Sequence, residues 1–410
     1  MIQSPASQSA LYLGRAATPG EPSRIARAIP VGTLSVNPDT GARQPRLPAL
    51  RKVVEAYPAD GTCLVVTGEV GPGTVAYLQV LADVLEVSAV ITTPDQGPSM
   101  VSATHIKGAL VLTPDRHQDL VRTAAEYTGR LTRRAAAPVV VQGPGHLLSE
   151  EGGGPLAEQG ARGAVWSAQC GVTRQARDAV RLRLPVFTTA GSALDTLVNA
   201  PAGYAIAQTL ESRLRRDLTR SLSDCTVAVL RFGERHKAVA AALRVLGAEV
   251  RVCDPDPIST CAAVLAGYRV TDRAELLGGA DVVVDLYGDL PADPAALRLL
   301  RPETVVLTEA FHPSGPCPDG TFGSLTCKER YDSTLVCRFE DKPLYVMTGF
   351  SPSHVDERIV GRLHDLLCCE LYLCIRELAR RPHPPGVRRL APEQCAEIAW
   401  IWCETYGRSA

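Results

Sequence analysis

From Leu47 onward, short runs that are apolar at every position alternate with stretches of helical period. The runs cover 62–67, 88–92, 109–112, 138–142 and 185–189; the helical stretches cover 74–84, 117–131 and 202–222. Strands without a polar face, separated by helices, predict a parallel sheet covered on both sides. The alternation pauses across 147–163, where EEGGGP marks a loop. It resumes as a second set: strands at 226–230, 249–253, 281–286 and 304–308, and helices at 236–246 and 258–266, predicting a second doubly wound unit. After Tyr345 the pattern turns helical, with one helix over 355–378 stopped by RRPHPPG. Residues 1–46 are rich in Ser, Pro, Ala and Gly and keep no period, which predicts a loosely held arm.

Composition narrows the function classes. The 410 residues are 45% hydrophobic and carry 43 basic against 44 acidic side chains, a net charge of -1. That balance lacks the basic excess of a nucleic-acid binder, and no run reaches the ~18 apolar residues of a membrane span. The N-terminus has no basic segment leading into an apolar core, so a cytoplasmic protein without a secretory leader is expected. Thirteen cysteines, scattered and odd in number, are expected to be free structural thiols. Cys317, Cys327 and Cys337 lie ten apart, unlike paired zinc ligands, so no metal is expected. Only five of the basic residues are lysine, a bias typical of high-GC bacterial genomes.

The segment 226–254, TVAVLRFGERHKAVAAALRVLGAEVRVCD, reads as strand, tight loop, Ala-rich helix, glycine stop, second strand and acidic end. A dinucleotide site needs a helix N-terminus at the pyrophosphate, glycines that let backbone approach it, and a carboxylate about twenty residues on for the ribose hydroxyls. Gly233 and Asp254 suit those roles. Arg231 and His236 replace the first and third glycines and are expected to fill space that a pyrophosphate uses. Alternatively, Arg231, Arg235, His236 and Lys237 grip a phosphate directly. Weak, exchangeable NAD binding and an altered pocket both remain open.

The segment 231–270 resembles the NAD-binding segment of S-adenosyl-L-homocysteine hydrolase, whose G-Y-G-x-x-G-K-G loop is followed by G-A-x-V, D-P-I and G-Y/F-x-V. Here DPI stands at 256–258 and AGYRV at 266–270. The likeness continues in LPAL at 47–50, PVVVQGPGHL at 138–147, GAVWSAQCGV at 163–172, VVLTEAFH ending at His312, and RRPHPPGVRRLAPEQCAEIA at 380–399. It implies two doubly wound parallel-sheet α/β domains, with a Rossmann NAD-type domain inserted in a discontinuous substrate domain. The expected boundaries are an arm at 1–46, a substrate-type part at 47–197, the Rossmann part at 198–348, the completion at 349–399 and a tail at 400–410.

Carried over position by position, most of the family's machinery is replaced. Its histidine in L-H-M-T falls near Glu69, its ribose-binding Asp at Gly143 and its Glu at Ser167. The hinge lysine and the Asp-Asn pair of K-S-K-F-D-N align with Asp195, Asn199 and Ala200, and His312 alone stands where a family catalytic histidine stands. The resemblance thus implies His312, Asp195 and Glu69 as candidate catalytic residues, and Gly233, Asp254, Arg231 and His236 as candidate NAD-binding residues. Three readings follow: an enzyme of specialised metabolism acting on a nucleoside-like or thioether small molecule, a catalytically inactive relative that binds a partner, and a working hydrolase. A homo-oligomer is also expected, because LLCCELYLCI at 366–375 forms an apolar stretch wider than one core-facing stripe.

Overall fold

The computed structural model describes residues 46–59, 61–68, 70, 72–92, 106–115, 119–134, 138–143, 153–166, 182–286, 288, 290–308, 321–322, 324–331, 334–347 and 357–407. The proposed arm therefore lies outside the described residues, apart from Arg46. Two parallel-dominant α/β sheets make up the molecule. The first has seven strands in the order β16-β6-β5-β4-β1-β2-β3. They are β1 (Cys63–Gly68), β2 (Glu86–Thr92), β3 (Leu110–Leu112), β4 (Val139–Gly143), β5 (Gly163–Trp166), β6 (Pro185–Thr188) and β16 (Gly386–Arg388). Every pairing in this sheet is parallel.

Alternate residues of those strands feed two cores, which is why the strands read as apolar throughout. Leu64, Val66, Val140, Val165 and Phe187 pack beneath helix α2 (Pro72–Leu81) and the long helix α10 (Glu357–Arg380). Cys63, Val65, Val141, Trp166 and Val186 pack on the other face, against helix α3 (Asp119–Arg134).

The second sheet has nine strands in the order β12-β13-β14-β15-β11-β10-β7-β8-β9. Its parallel part comprises β7 (Thr226–Leu230), β8 (Glu249–Cys253), β9 (Arg269–Val270), β10 (Val282–Val284) and β11 (Val305–Leu307), and β15 (Lys342–Met347) pairs parallel with β11. Beyond β15 the sheet continues antiparallel through β14 (Thr334–Phe339), β13 (Leu325–Tyr331) and β12 (Thr321–Phe322). Cys337 on β14 is disulfide-bonded, which corrects the expectation of free thiols throughout; Cys327 is its cross-strand neighbour in register. Nine other described cysteines are free.

One helix carries the chain from the first sheet to the second. The sequence predicts this helix over 202–222. The structure instead begins it nine residues earlier, as α5 (Ala193–Leu218), with Pro201 inside. Ser192 caps the helix by accepting the Asp195 N–H, and Asp195 in turn accepts the Gly191 N–H, so a well-made N-terminus offsets the interior proline. Farther along, α5 lies against α6 (Glu234–Val245) so closely at Gly203 that a methyl group there would meet the Ala238 and Val239 backbone.

After β15 the chain returns to the first sheet through α10, β16 and α11 (Pro392–Tyr406), so residues 400–406 belong to a helix and not to a tail. The apolar stretch expected to meet a partner is buried within this one chain: Cys368, Cys369, Tyr372, Leu373, Cys374 and Ile375 pack under the first sheet with helix α1 (Pro48–Ala56). Those residues leave no patch for an oligomer interface.

Asp365 ties these returning elements together. Its carboxylate accepts the Ala49 and Leu50 N–H groups at 2.8 and 2.9 Å and the Tyr406 hydroxyl at 2.7 Å. Asp365→Asn replaces one accepting oxygen by a donor facing donors, and we expect a loss of about 2 kcal/mol in urea denaturation. An unchanged midpoint would show that the three contacts contribute nothing net.

Candidate functional site

The site grows from the carboxyl end of β7, where the chain turns into α6. Arg231 takes up φ 78°, a left-handed conformation that glycine adopts freely and that costs other residues roughly 1–2 kcal/mol. The turn of a dinucleotide loop is thus kept without its first glycine. The Arg231 N–H donates to the Cys253 carbonyl at 2.7 Å, and the Phe232 N–H donates to the carboxylate of Asp254 at the end of β8. Asp254 also accepts the Asp256 N–H at 2.8 Å. Each of its oxygens keeps a second lone-pair direction for a ribose hydroxyl.

Gly233 is the N-cap of α6 and contributes no side-chain cap. The first-turn N–H groups therefore have no side-chain acceptor at the N-cap, and they lie where a pyrophosphate sits in folds of this kind. His236, expected to obstruct that space, is 1% exposed and faces the core of the second sheet. The third glycine position serves helix–strand packing and not phosphate approach, so a side chain there is accommodated inside. That corrects the expected blockage at His236. Lys237 is ion-paired to Glu234 at 2.6 Å on the same helix.

Of the candidate catalytic residues, Glu69 and His312 lie outside the described residues. Asp195 is described: its N–H is capped by the Ser192 hydroxyl, and its carboxylate accepts the N–H of Gly191, just before α5. Burial pushes its carboxyl up, opposed by the Gly191 N–H and by the Arg235 and Arg389 guanidiniums. Arg235 belongs to the first turn of α6, so the start of α5 and the start of the dinucleotide helix are electrostatic neighbours.

At the carboxyl edge of the first sheet, Tyr77 donates its hydroxyl to Gln142 Oε1 at 3.0 Å, and Thr67 donates its hydroxyl to the Gln142 carbonyl at 3.4 Å. Asn199 is buried on α5. Sequence reasoning passed over Glu370, fully buried on α10 beneath the α5 cap, with both carboxylate oxygens unpartnered. Burial pushes it up to about 8; the nearby Ser192 hydroxyl lowers it in part and Asp195 raises it further. An acid embedded in LLCCELYLCI was the available signal. Among the described residues, no group of three or more His, Cys, Asp or Glu side chains is placed to hold a metal ion. No helix among them is long and apolar enough to cross a membrane.

Residues 202–292 match the family model of the S-adenosyl-L-homocysteine hydrolase NAD-binding domain. Solved structures similar to the chain include dipicolinate synthase A chain from Bacillus subtilis, with 13% identity and a TM-score of 0.39 over 78% of this chain and 99% of that one. An NAD-complexed D-isomer specific 2-hydroxyacid dehydrogenase from Lactobacillus delbrueckii ssp. bulgaricus is similar at 13% identity and a TM-score of 0.34, over 78% and 99%. The apo D-lactate dehydrogenase from Escherichia coli is similar at 13% identity and a TM-score of 0.37, over 75% and 96%. Likenesses this distant carry nothing about substrate. The matched segment is an NAD-binding domain, and the residues at the β7–α6 turn fit NAD as its cofactor.

Proposed function

We propose that this is an NAD-binding protein diverged from S-adenosyl-L-homocysteine hydrolases, acting in specialised metabolism on a nucleoside-like or thioether small molecule. The observation that carries the reading is the contrast between two places. The dinucleotide turn keeps its backbone conformation and its Asp254 anchor, while Asp195, aligned with the family's hinge lysine, is engaged in a helix cap. Gly233 and the first turn of α6 would receive the pyrophosphate, and Asp254 the adenosine ribose. Bound NAD supplies a hydride acceptor. The chain's own residues position it by backbone donors, and the part-buried Tyr77–Gln142 pair fixes an amide at the edge of the first sheet, where a doubly wound fold binds its ligand.

Purified protein is expected to release no stoichiometric nucleotide on denaturation, yet to melt several degrees higher in excess NAD, since a ligand at 100 times its Kd stabilises by about 2.7 kcal/mol. No thermal shift at millimolar NAD would overturn the NAD reading. Adenosylhomocysteine supplied with NAD is expected to release no thiol; rapid release would restore the hydrolase reading. The use of Asp195 as a cap also favours an inactive, partner-binding relative. That reading predicts NAD binding without turnover of any thioether or nucleoside.

A further inference from the structure

Helix α7 (Pro257–Leu265) begins just after Asp254 and crosses from β8 to the edge strand β9, with its apolar side turned outward. Its sequence, PISTCAAVL, has no charged side chain, and only Ala263 is buried, in the core shared with α6. On the other side Ile258 is 76% exposed, Val264 58% and Leu265 88%, and Pro257 and Cys261 are exposed beside them. Positions 258, 261 and 265, and likewise 257, 261 and 264, recur at helical spacing, so the five make one stripe along the helix. A surface helix normally turns polar residues to water, and a contiguous apolar face left there marks an interaction site.

The two ends of the stripe carry opposite charge. At the N-terminus Asp256 accepts the Ser259 N–H at 2.8 Å, and its carboxylate is otherwise open to water. At the C-terminus Arg244, reaching over from α6, donates to the Ala266 carbonyl at 3.1 Å and lies 4.5 Å from the Tyr268 ring centre. Both are exposed, and neither forms an ion pair among the described residues. Val245, next to Arg244 at the end of α6, is 77% exposed as well. The carboxylate and the guanidinium are separated by the length of the helix, roughly 15 Å for ten residues.

A stripe that is acidic at one end and basic at the other complements itself. Turned antiparallel about a two-fold axis, each copy brings its carboxylate to the other's guanidinium, so the pairing is made twice. The helix dipoles then also run in opposite directions, positive end to negative end. Cys261 is the middle residue of α7. Being small between Ile258 and Leu265, it leaves a hollow in which two helices can approach and their larger side chains interlock.

We infer that α7 is the contact surface of a homodimer, packed antiparallel against the same helix of a second copy. Cys261 then lies opposite the partner's Cys261, and Asp256 opposite the partner's Arg244. The interface is thus on the second sheet's outer helices and not at 366–375, where the sequence pattern placed it.

Sedimentation velocity of the full chain over micromolar to submillimolar concentrations is expected to show a particle of twice the 43.7 kDa chain mass, its share rising with concentration. Leu265→Glu should raise the dissociation constant at least about tenfold while keeping a native circular dichroism spectrum, because the side chain is almost wholly exposed in one chain. Arg244→Glu should weaken association in the same way, by setting like charges together at both ends. A short bismaleimide should join two chains through Cys261, identified by peptide mapping, and Cys261→Ser should abolish that product. Cys403, the other exposed thiol among the described residues, is the control. A dimer that Leu265→Glu leaves intact places the interface elsewhere and overturns the inference. A dimer lost in Leu265→Glu but untouched by Arg244→Glu, and not joined through Cys261, overturns the antiparallel register. A monomer at every concentration overturns the whole; if deleting residues 1–45 then produces a dimer, the face is covered by the chain's own N-terminal segment.

Discussion

Glu370→Gln should make the protein more stable at pH 8, by about 3–4 kcal/mol, one pKa unit corresponding to roughly 1.4 kcal/mol. Glu370 is wholly buried, neither oxygen has a hydrogen-bond partner, and burial holds its carboxyl at about 8 against an ordinary value of 4.5. Between those two values the folded protein keeps a proton that the unfolded chain has released. The stabilisation is therefore complete below pH 4.5 and is lost progressively up to about 8. Ionised, the group would sit beside Asp195 from α5, with the thiols of Cys374 and Cys395 also near.

The glutamine variant lacks this proton and with it most of the decline. Its curve does not become flat, because burial also raises Asp195 and Asp365. At pH 5 the two proteins should differ by less than about 1 kcal/mol. Urea denaturation at half-unit intervals from pH 5 to 9 measures the difference, and parallel curves for the two proteins would sink the idea.

The parts of this fold that were legible in the sequence are those whose side chains face one kind of environment. Strands such as 63–68 and 226–230 are enclosed by helices on both faces, so apolar residues dominate both and the run stands out. The antiparallel strands from 321 to 347 lie toward one edge of the second sheet and mix Arg338 and Lys342 with Leu335 and Val346, so a search for uniformly apolar runs passes over them. The start of α5 was hidden because Pro201 interrupts the helical pattern, whereas the Ser192 cap sits nine residues upstream.

At the site, Gly233 and Asp254 could be placed by spacing alone. Whether Arg231 would obstruct the loop or preserve its turn depends on a backbone angle that residue identity does not reveal. His236 reads as a polar intruder only until its helix phase places it in the core. Glu370 escaped notice for the opposite reason: its neighbours made the whole stretch look like packing, and the carboxyl buried among them carries a large pH-dependent energy.

Gly203→Ala should destabilise the protein by about 2–3 kcal/mol, against the usual direction of that substitution in a helix. Inside an exposed helix, alanine is favoured over glycine by about 1 kcal/mol, and position 203 is well inside α5. The surroundings reverse the sign. A β-carbon there would lie 2.5 Å from the Ala238 carbonyl carbon, 2.7 Å from the Val239 nitrogen and 2.8 Å from the Ala238 methyl. The first two are backbone atoms within α6, so no flexible side chain can swing away to make room. Relief requires the helices to separate, which opens the contact along Ile206, Ala207 and Leu210 and loosens Val239, Ala240 and Leu243 in the same core. Because α6 begins at the cofactor turn, its displacement should also weaken NAD binding, while the distant Asp365 anchor stays intact. Chemical denaturation with NAD titration in parallel separates these effects. A variant at least as stable as wild type would mean that the helices yield at little cost, and that the close crossing does not hold α6 in place.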